Sequence, residues 1–542
     1  MPSAASCTAS SSAGPRSSRA RARSLIDDNT DMNANLFAAL RAAFPADLDA
    51  VAIECADGEQ AGLAYSWRDL ERATAMMANL LVSLELPAGS RVAVQTEKSV
   101  EALMLYLAVL RAGYVYLPLN TAYQAAEIEY FIGNAEPAVV VCAGKNFGWV
   151  SKIAFQAGTQ NVFTLNEDRS GTLLDRAGAM SDVHEPAVKK PEELAAILYT
   201  SGTTGRSKGA MLSHGNMLSN AQTLKDYWGW QAGDVLIHAL PIFHVHGLFV
   251  ASHGALLNGS KMIWFSKFDP KATIARFKDA TIFMGVPTLY VRMLGEAALT
   301  PAACAHMRLF VSGSAPLLIE TFKDWQTRSG HTILERYGMS ETVMLTSNPY
   351  RAEIGERIGG TVGFALPGVQ VRVQDDKGQP CPAGEIGSIE VKGPNVFAGY
   401  WRMPEKTREE FTADGWFKTG DVGKRDARGY FTIVGRSKDL IISGGYNVYP
   451  AEIEGYINEM AGVAESAVIG LPHPDFGEGV VAVLVPKPGA RVDGEAIMAA
   501  LKKQIANFKV PKQVFVVDAL PRNTMGKVQK NLLREQHRSL FA

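Results

Sequence analysis

The sequence predicts an α/β protein: a large N-terminal domain of two α/β subdomains plus a β-rich subdomain, with a small α+β C-terminal domain. Three observations carry that expectation. Short apolar strand-like runs alternate with helical stretches from residue 36 onward, a pattern that favours mainly parallel sheets covered by helices. After about residue 360 the helices thin out and turn-rich joins separate the strands. The last hundred or so residues mix three β-like runs with two helices. At 542 residues the chain has room for three or four domain-sized units.

Taken in order, Ser66 and Asp69 form a capping-box-like start, and Leu70, Ala73, Met77, Leu80, Leu81 and Leu84 then share one helical face. Residues 91–95 read as a strand, 100–111 as a helix and 138–142 as a strand opened by the breaker Pro137. Further strands are expected at 195–198, 234–240, 261–265, 281–284 and 308–312. Gly285-Val-Pro-Thr288 precedes a helix that carries Arg292. Residues 369–375 and 387–392 supply the β-rich part, and the charged stretch near 435–439 suits a hinge. Beyond it, strands at 466–470, 480–486 and 513–517 accompany helices at 451–458 and 494–507. The resulting boundaries are 1–31 (disordered extension), 32–435 (N-terminal domain), 436–439 (hinge) and 440–542 (C-terminal domain).

Composition excludes several function classes. Lys+Arg totals 54 against 55 for Asp+Glu, so no global positive field exists to hold nucleic acid or an acidic membrane. The longest apolar run, 102–110, is broken by Arg111 and falls well short of the ~18–20 residues that span a bilayer. Cys7, Cys55, Cys142, Cys304 and Cys381 are far apart with no CxxC pair, which argues against a zinc site and suits a reducing cytoplasm. The first 31 residues are rich in Ser, Ala and Arg, hold no acid before Asp27 and no aromatic, and cannot build a core. They share an Arg- and Ser-rich, acid-poor character with transit peptides but lack a clear amphipathic stretch, which leaves mitochondrial or plastid targeting open. Fifty glycines exceed the usual ~7% and cluster in loops, which hints at close approach to a ligand.

The strongest signal is Tyr199-Thr-Ser-Gly-Thr-Thr-Gly-Arg-Ser-Lys208-Gly209 after the strand-like 195–198. Glycines and small hydroxyl residues let backbone N–H groups and side-chain hydroxyls close around phosphate oxygens, and a Lys adds charge. A Walker A loop would need Gly-Lys-Ser/Thr, whereas Ser207 precedes Lys208 and Gly209 follows. A nucleotide is therefore expected, and a P-loop kinase or ATPase is not.

This loop resembles the phosphate loop of the adenylate-forming superfamily: acyl-CoA synthetases, adenylation domains of peptide synthetases, and luciferases. Further motifs match in the same order: Arg336-Tyr-Gly-Met-Ser-Glu-Thr342, Gly415-Trp-Phe-Lys-Thr-Gly-Asp421, the run from Gly435-Arg-Ser-Lys-Asp to Tyr449-Pro450, and Pro521-Arg-Asn-Thr-Met-Gly-Lys527. Within the superfamily the chain is most similar to malonyl-CoA synthetases, on His244-Val-His-Gly247 and Met284-Gly-Val-Pro-Thr-Leu-Tyr-Val-Arg292 among other segments.

The resemblance implies a ligase that converts malonate, ATP and coenzyme A to malonyl-CoA, AMP and diphosphate through an acyl-adenylate. It implies ATP, Mg²⁺ and coenzyme A, a monomer or homodimer, and a mobile C-terminal domain that alternates between two half-reactions. Methylmalonate or another short-chain or aryl acid, a carrier-loading enzyme and a luciferase-like enzyme stay open as alternatives. Residue by residue, it implies that Thr200, Ser201, Gly202, Thr203, Thr204, Gly205 and Lys208 hold phosphates, with Tyr337, Gly338, Ser340, Asp421 and Arg436 around the rest of the nucleotide. Glu341 and Thr200 would hold the metal, Lys527 would bridge carboxylate and phosphate, and His244 would gate the acyl pocket. Ser340 stands where the family usually has Thr, and Lys438, at the hinge, stands where many members have Asp. Gly444 and Gly445 would line the pantetheine tunnel, where only glycine lets backbone and ligand approach closely. Malonate keeps a second carboxylate, which needs a cation. Arg292 is the candidate because its fork pairs bidentately, with His246, Ser312, Gly313 and Ser314 as further donors.

Overall fold

Strand-forming apolar runs need both faces covered, and the chain supplies the cover with amphipathic helices between them. The fold is seen in a computed structural model that describes residues 33–200, 207–523 and 526–541. Among these residues a nine-stranded sheet has Leu334–Met339, Leu309–Ser312, Ile282–Gly285, Val235–His238, Lys261–Trp264 and Val51–Cys55 as parallel inner strands, with antiparallel edges. A seven-stranded sheet runs Gly399–Tyr400, Lys208–Ser213, Leu194–Thr200, Val115–Pro118, Arg91–Gln95, Val139–Cys142 and Asn161–Thr164. Gln370–Gln374, Gly387–Lys392, Phe417–Arg425 and Phe431–Arg436 form an antiparallel four-stranded sheet. The C-terminal sheet pairs Val463–His473 with Gly477–Pro486 along their whole length, and Gln513–Val516 joins in parallel.

The capping box is present: Ser66 accepts from the Asp69 N–H, and the Asp69 carboxylate accepts from the Ser66 N–H. Helix Trp67–Val82 buries Leu70, Met77, Leu80 and Leu81, and Arg91–Gln95 is a strand as expected. Expectation and structure part at the C-terminus. The apolar pattern over 494–507 reads as one helix, yet the helix is Gly494–Leu501; Ile505 and Phe508 reach the same core from turns. Mainly parallel pairing holds for inner strands, but the phosphate loop joins an antiparallel pair, Leu194–Thr200 and Lys208–Ser213. No helix among the described residues is long and apolar enough to cross a membrane.

Helix Val100–Arg111 is buried at every position, including Arg111, which is 1% exposed. Its guanidinium pairs with Glu71 Oε1 at 2.8 Å and donates to the Glu71 carbonyl, Thr74 Oγ1 and the His184 carbonyl. A buried cation held this way is costly to unpair. Arg111→Ala leaves Glu71 paired with Arg41 alone, at 3.0 Å, takes the guanidinium donor from the Glu71 and His184 carbonyls, and destabilises the fold by about 2–4 kcal/mol in chemical denaturation. A loss below about 1 kcal/mol would mean that water substitutes for the guanidinium.

Candidate active site

The strands on either side of the expected phosphate loop, Leu194–Thr200 and Lys208–Ser213, pair antiparallel. Thr200 and Lys208 face each other in that pairing, and Thr200 Oγ1 donates to the Lys208 carbonyl at 3.4 Å. The expected phosphate ligands Ser201, Gly202, Thr203, Thr204 and Gly205 lie outside the described residues. Lys208 Nζ sits 3.4 Å from Glu410 Oε1 and 4.3 Å from the centre of the Tyr400 ring. Tyr400 is held beside it because the edge strand Gly399–Tyr400 pairs with Lys208–Ser213. The Tyr400 hydroxyl then donates to Glu341 Oε1 at 2.9 Å. No sequence motif marks Tyr400 or Glu410; the edge strand brings Tyr400 to Lys208, and the helix Pro404–Glu410 that follows brings Glu410.

Glu341 lies in the tight turn between Leu334–Met339 and Val343–Ser347. Val343 closes that turn at φ 56°, a conformation β-branched residues rarely adopt, so the turn is strained. A side chain at Gly338 would collide with the Val343 carbonyl. Glu341 is 5% exposed; burial raises its pKa, opposed by the Tyr400 hydroxyl and by the charges of Arg436 and Lys208. Ser340 is half-buried in the same turn.

Asp421 is 3% exposed and has two partners. The Tyr337 hydroxyl donates to Oδ2, and Arg436 Nε lies 2.8 Å from Oδ1. Arg436 is there because Asp421 and Arg436 are cross-strand neighbours in the four-stranded sheet. Burial raises the Asp421 pKa, with Arg436 and Tyr337 the main opposing influences. Lys527 follows Gly526, whose φ of 75° closes a turn in which the Lys527 N–H donates to Asn523 Oδ1 at 3.0 Å. A side chain at Gly526 would come 3.3 Å from Thr288 Oγ1, so the lysine turn docks on helix Pro287–Leu294. The Lys527 side chain is exposed, with Arg436, Asp421, Glu341 and Arg336 within electrostatic reach. Desolvation and then the Arg436 charge push its pKa down to about 8, against the pull of Asp421 and Glu341.

A second cluster lies behind this one. His246 opens a π-helical turn, His246–Ala251, is buried, and has no partner at Nε2. Its Nδ1 is 3.4 Å from Ser314 Oγ, and Ser314 itself sits at φ 73°. His244 Nδ1 accepts from the His246 N–H at 3.3 Å. Burial, then the charges of Lys527 and Arg336, push the His244 pKa down to about 3, so the ring is neutral. Ser312 Oγ is buried without a partner. At the centre is Arg336, 3% exposed, with Nε and Nη2 unpartnered and no ion pair among the described residues. A side chain at Gly313 would land 2.5 Å from its guanidinium.

Arg292 differs from expectation. It is exposed in the last turn of its helix, 5.0 Å over the Phe268 ring, because Tyr290 and Met293 take the buried side. It lies one turn beyond Thr288, which faces the lysine turn. The buried cation is Arg336, which stands with Glu335 as an adjacent charged pair in the strand Leu334–Met339 just before Tyr337. Lys438 is exposed in a short helix, Ser437–Asp439, whose Asp439 pairs with Arg534 at 2.7 Å. Gly444 and Gly445 form an exposed hairpin turn at φ 60° and 81° in the C-terminal sheet, apart from the Arg336 cluster.

Comparison with known proteins identifies the family. Residues 41–401 match the AMP-binding enzyme family and residues 452–527 the AMP-binding enzyme C-terminal domain. The chain belongs to the AMP-binding enzyme family. It is 33% identical over 479 residues to a malonate–CoA ligase from Arabidopsis thaliana, covering 82% of this chain and 78% of that one. It is 34% identical over 481 residues to a feruloyl-CoA synthase from Amycolatopsis sp, covering 88% and 94%. The crystal structure of ATP-bound MatB from Rhodopseudomonas palustris is 55% identical, with a TM-score of 0.91 over 94% of this chain and all of that one.

Tyr400 is the sole side-chain donor to Glu341 seen among the described residues. Tyr400→Phe removes it, so the already raised carboxylate pKa climbs further and the ionised form is lost at higher pH. The acid limb of kcat/KM for AMP formation moves up by about 0.5–1 pH unit. An unmoved limb would leave Tyr400 as packing alone.

Proposed function

We propose that this protein is an ATP-dependent malonate–CoA ligase, forming malonyl-CoA, AMP and diphosphate through a malonyl-adenylate. Relatedness favours malonate: MatB is 55% identical and a malonate–CoA ligase 33%, beside a feruloyl-CoA synthase at 34%. The deciding observation is the buried, unpaired Arg336 with Ser312, His246 and Ser314 around it. A pocket for an aryl or fatty chain has no use for that charge. The free carboxylate of malonate supplies the missing anion in a form a guanidinium pairs with bidentately. Arg292, at the rim on the Thr288 side, is a second cation for the same acid.

In this reading, Asp421, oriented by Arg436 and Tyr337, accepts from the ribose hydroxyls. Lys208 and the hydroxyl of Thr200 stand at the mouth of the phosphate loop. Lys527 neutralises the approaching carboxylate and the phosphate it attacks. Mg²⁺ fits the donor set: the described residues hold no three-ligand cluster, and a single buried carboxylate, Glu341, with Thr200 beside the phosphates suits an ion that keeps substrate oxygens as ligands. Bound there, it would supply charge stabilisation at the phosphates. For thioester formation the C-terminal domain swings about Lys438, exchanging the lysine turn for the Gly444-Gly445 hairpin. Neutral His244, within electrostatic reach of Lys527 and Arg336, gates the passage.

An acid panel with ATP, Mg²⁺ and CoA, read by AMP release and thioester mass, tests the assignment. Acetate or butyrate would leave Arg336 unpaired, a penalty of roughly 3–5 kcal/mol, whereas the extra methyl of methylmalonate costs on the order of 1–3 kcal/mol. Malonate is therefore turned over, methylmalonate leaks through and monocarboxylates are refused. Arg336→Leu abolishes that preference and Arg292→Leu weakens it; malonate kcat/KM unchanged in Arg336→Leu, or AMP release without thioester, would sink the reading.

Lys527 divides the half-reactions. Lys527→Ala loses adenylate formation but keeps thioester formation from supplied malonyl-adenylate. Because desolvation and Arg436 lower its pKa, the cation is lost as pH rises through about 8, and wild-type kcat/KM for adenylation falls there while the thioester step does not. Equal loss in both half-reactions would mark the lysine as structural.

A further inference from the structure

Arg336 and its predecessor Glu335 grip the same loop from opposite faces of one strand. Successive side chains on a strand point to opposite sides. Arg336 crowds Gly313 at the start of the loop between strand Leu309–Ser312 and helix Ile319–Ser329. Glu335 reaches its far end: Oε1 accepts from the Leu317 N–H at 3.0 Å. The strand that carries both is itself pinned, because Ser312 and Glu335 are register partners and Asn348 donates twice to the Glu335 carbonyl. Leu317 is buried in the core with Tyr290 and Trp325, so the far end of the loop is anchored by packing as well. Between the two grips lies Ser314, in a left-handed conformation that a serine holds only when its surroundings impose it.

We propose that Glu335 is a positioning residue for the acyl site: its carboxyl braces the 313–317 loop so that Gly313 stays against Arg336 and Ser314 against His246. This rests on reading that cluster as the acyl-acid subsite. Two alternatives for a buried glutamate beside a buried arginine are a counter-ion and a general support of the fold. Among the described residues Glu335 makes no ion pair with Arg336, and its Oε2 has no hydrogen-bond partner. Burial pushes its pKa up to about 8, so at neutral pH the group is mostly the neutral acid and acts as an acceptor rather than as a charge.

Steady-state kinetics of the full chain with ATP, CoA and malonate separate these roles. Glu335→Leu keeps the volume but removes the acceptor, and raises KM for malonate about tenfold while KM for ATP stays within about twofold. Glu335→Gln keeps an acceptor oxygen without a charge and returns KM for malonate to within about twofold of wild type. Gln as damaging as Leu would make the residue a counter-ion and overturn the brace. Both KM values rising together in Leu, or neither moving, would overturn it as well. Should Glu335→Leu fail to fold, Glu335→Ala gives the same split. Should wild type turn over a monocarboxylate in place of malonate, the acyl-acid reading fails, and the KM split for that acid still decides the brace.

Discussion

A guanidinium taken out of water and left without a counter-ion is among the most expensive things a fold can hold, and Arg336 is such a group. Its neighbourhood makes sense only around that charge. Burial alone lowers the pKa of His244 and His246, and the nearby guanidinium lowers them further, so both rings stay neutral and add no competing positive charge. Gly313 lacks a side chain because any Cβ would strike the guanidinium. Even so, burial pushes the Arg336 pKa down to about 9, a measure of how poorly the unliganded site accommodates the cation. Under the proposed function an arriving carboxylate relieves that cost, and discrimination against uncharged acyl chains would come from the protein's own unmet need more than from steric exclusion.

The nucleotide side is organised the other way, with acids held by donors in advance. Asp421 meets Tyr337 and Arg436, and Glu341 meets Tyr400. Tyr400 also carries Lys208 over its ring, so the turn bearing Glu341 and the hairpin bearing the phosphate loop share one aromatic support. A shift in either is felt by the other, which under the proposed function would keep phosphate and the carboxylate of Glu341 in register.

Much of the fold was legible because its signals are local. Ser66 with Asp69 caps a helix through bonds three residues apart, and the short β-branched run over 91–95 marks a strand buried between two neighbours. The 494–507 helix was overdrawn because periodicity reports which residues reach the core, whether from a helix or from turns. In the site, glycine-rich motifs were visible, since close backbone approach restricts residue type. Arg336 and Arg292 could not be ranked from sequence. One lies on a strand inside the sheet and the other on a helix whose buried side is taken by Tyr290 and Met293, and only packing distinguishes a buried cation from an exposed one. Tyr400 was invisible for the same reason: its meaning lies in a two-residue edge strand.

One short segment, the strand Leu334–Met339 with the turn after it, presents Glu335 to the loop, Arg336 to the acyl side, Tyr337 to Asp421 and Glu341 to Tyr400. Strand alternation sorts neighbouring residues to different ligands without any of them moving. Such a segment has to be rigid, and it is: parallel pairing on one side, an antiparallel hairpin on the other, and a strained Val343 locking the turn. Under the proposed function that rigidity puts the change between half-reactions elsewhere: the acid and the nucleotide stay where this strand holds them, and the lysine turn, whose Gly526 faces Thr288, is the part that can leave. A glycine at that contact permits tight docking without interlocking side chains, so the turn can come away while the buried charges around Arg336 and Asp421 remain in place.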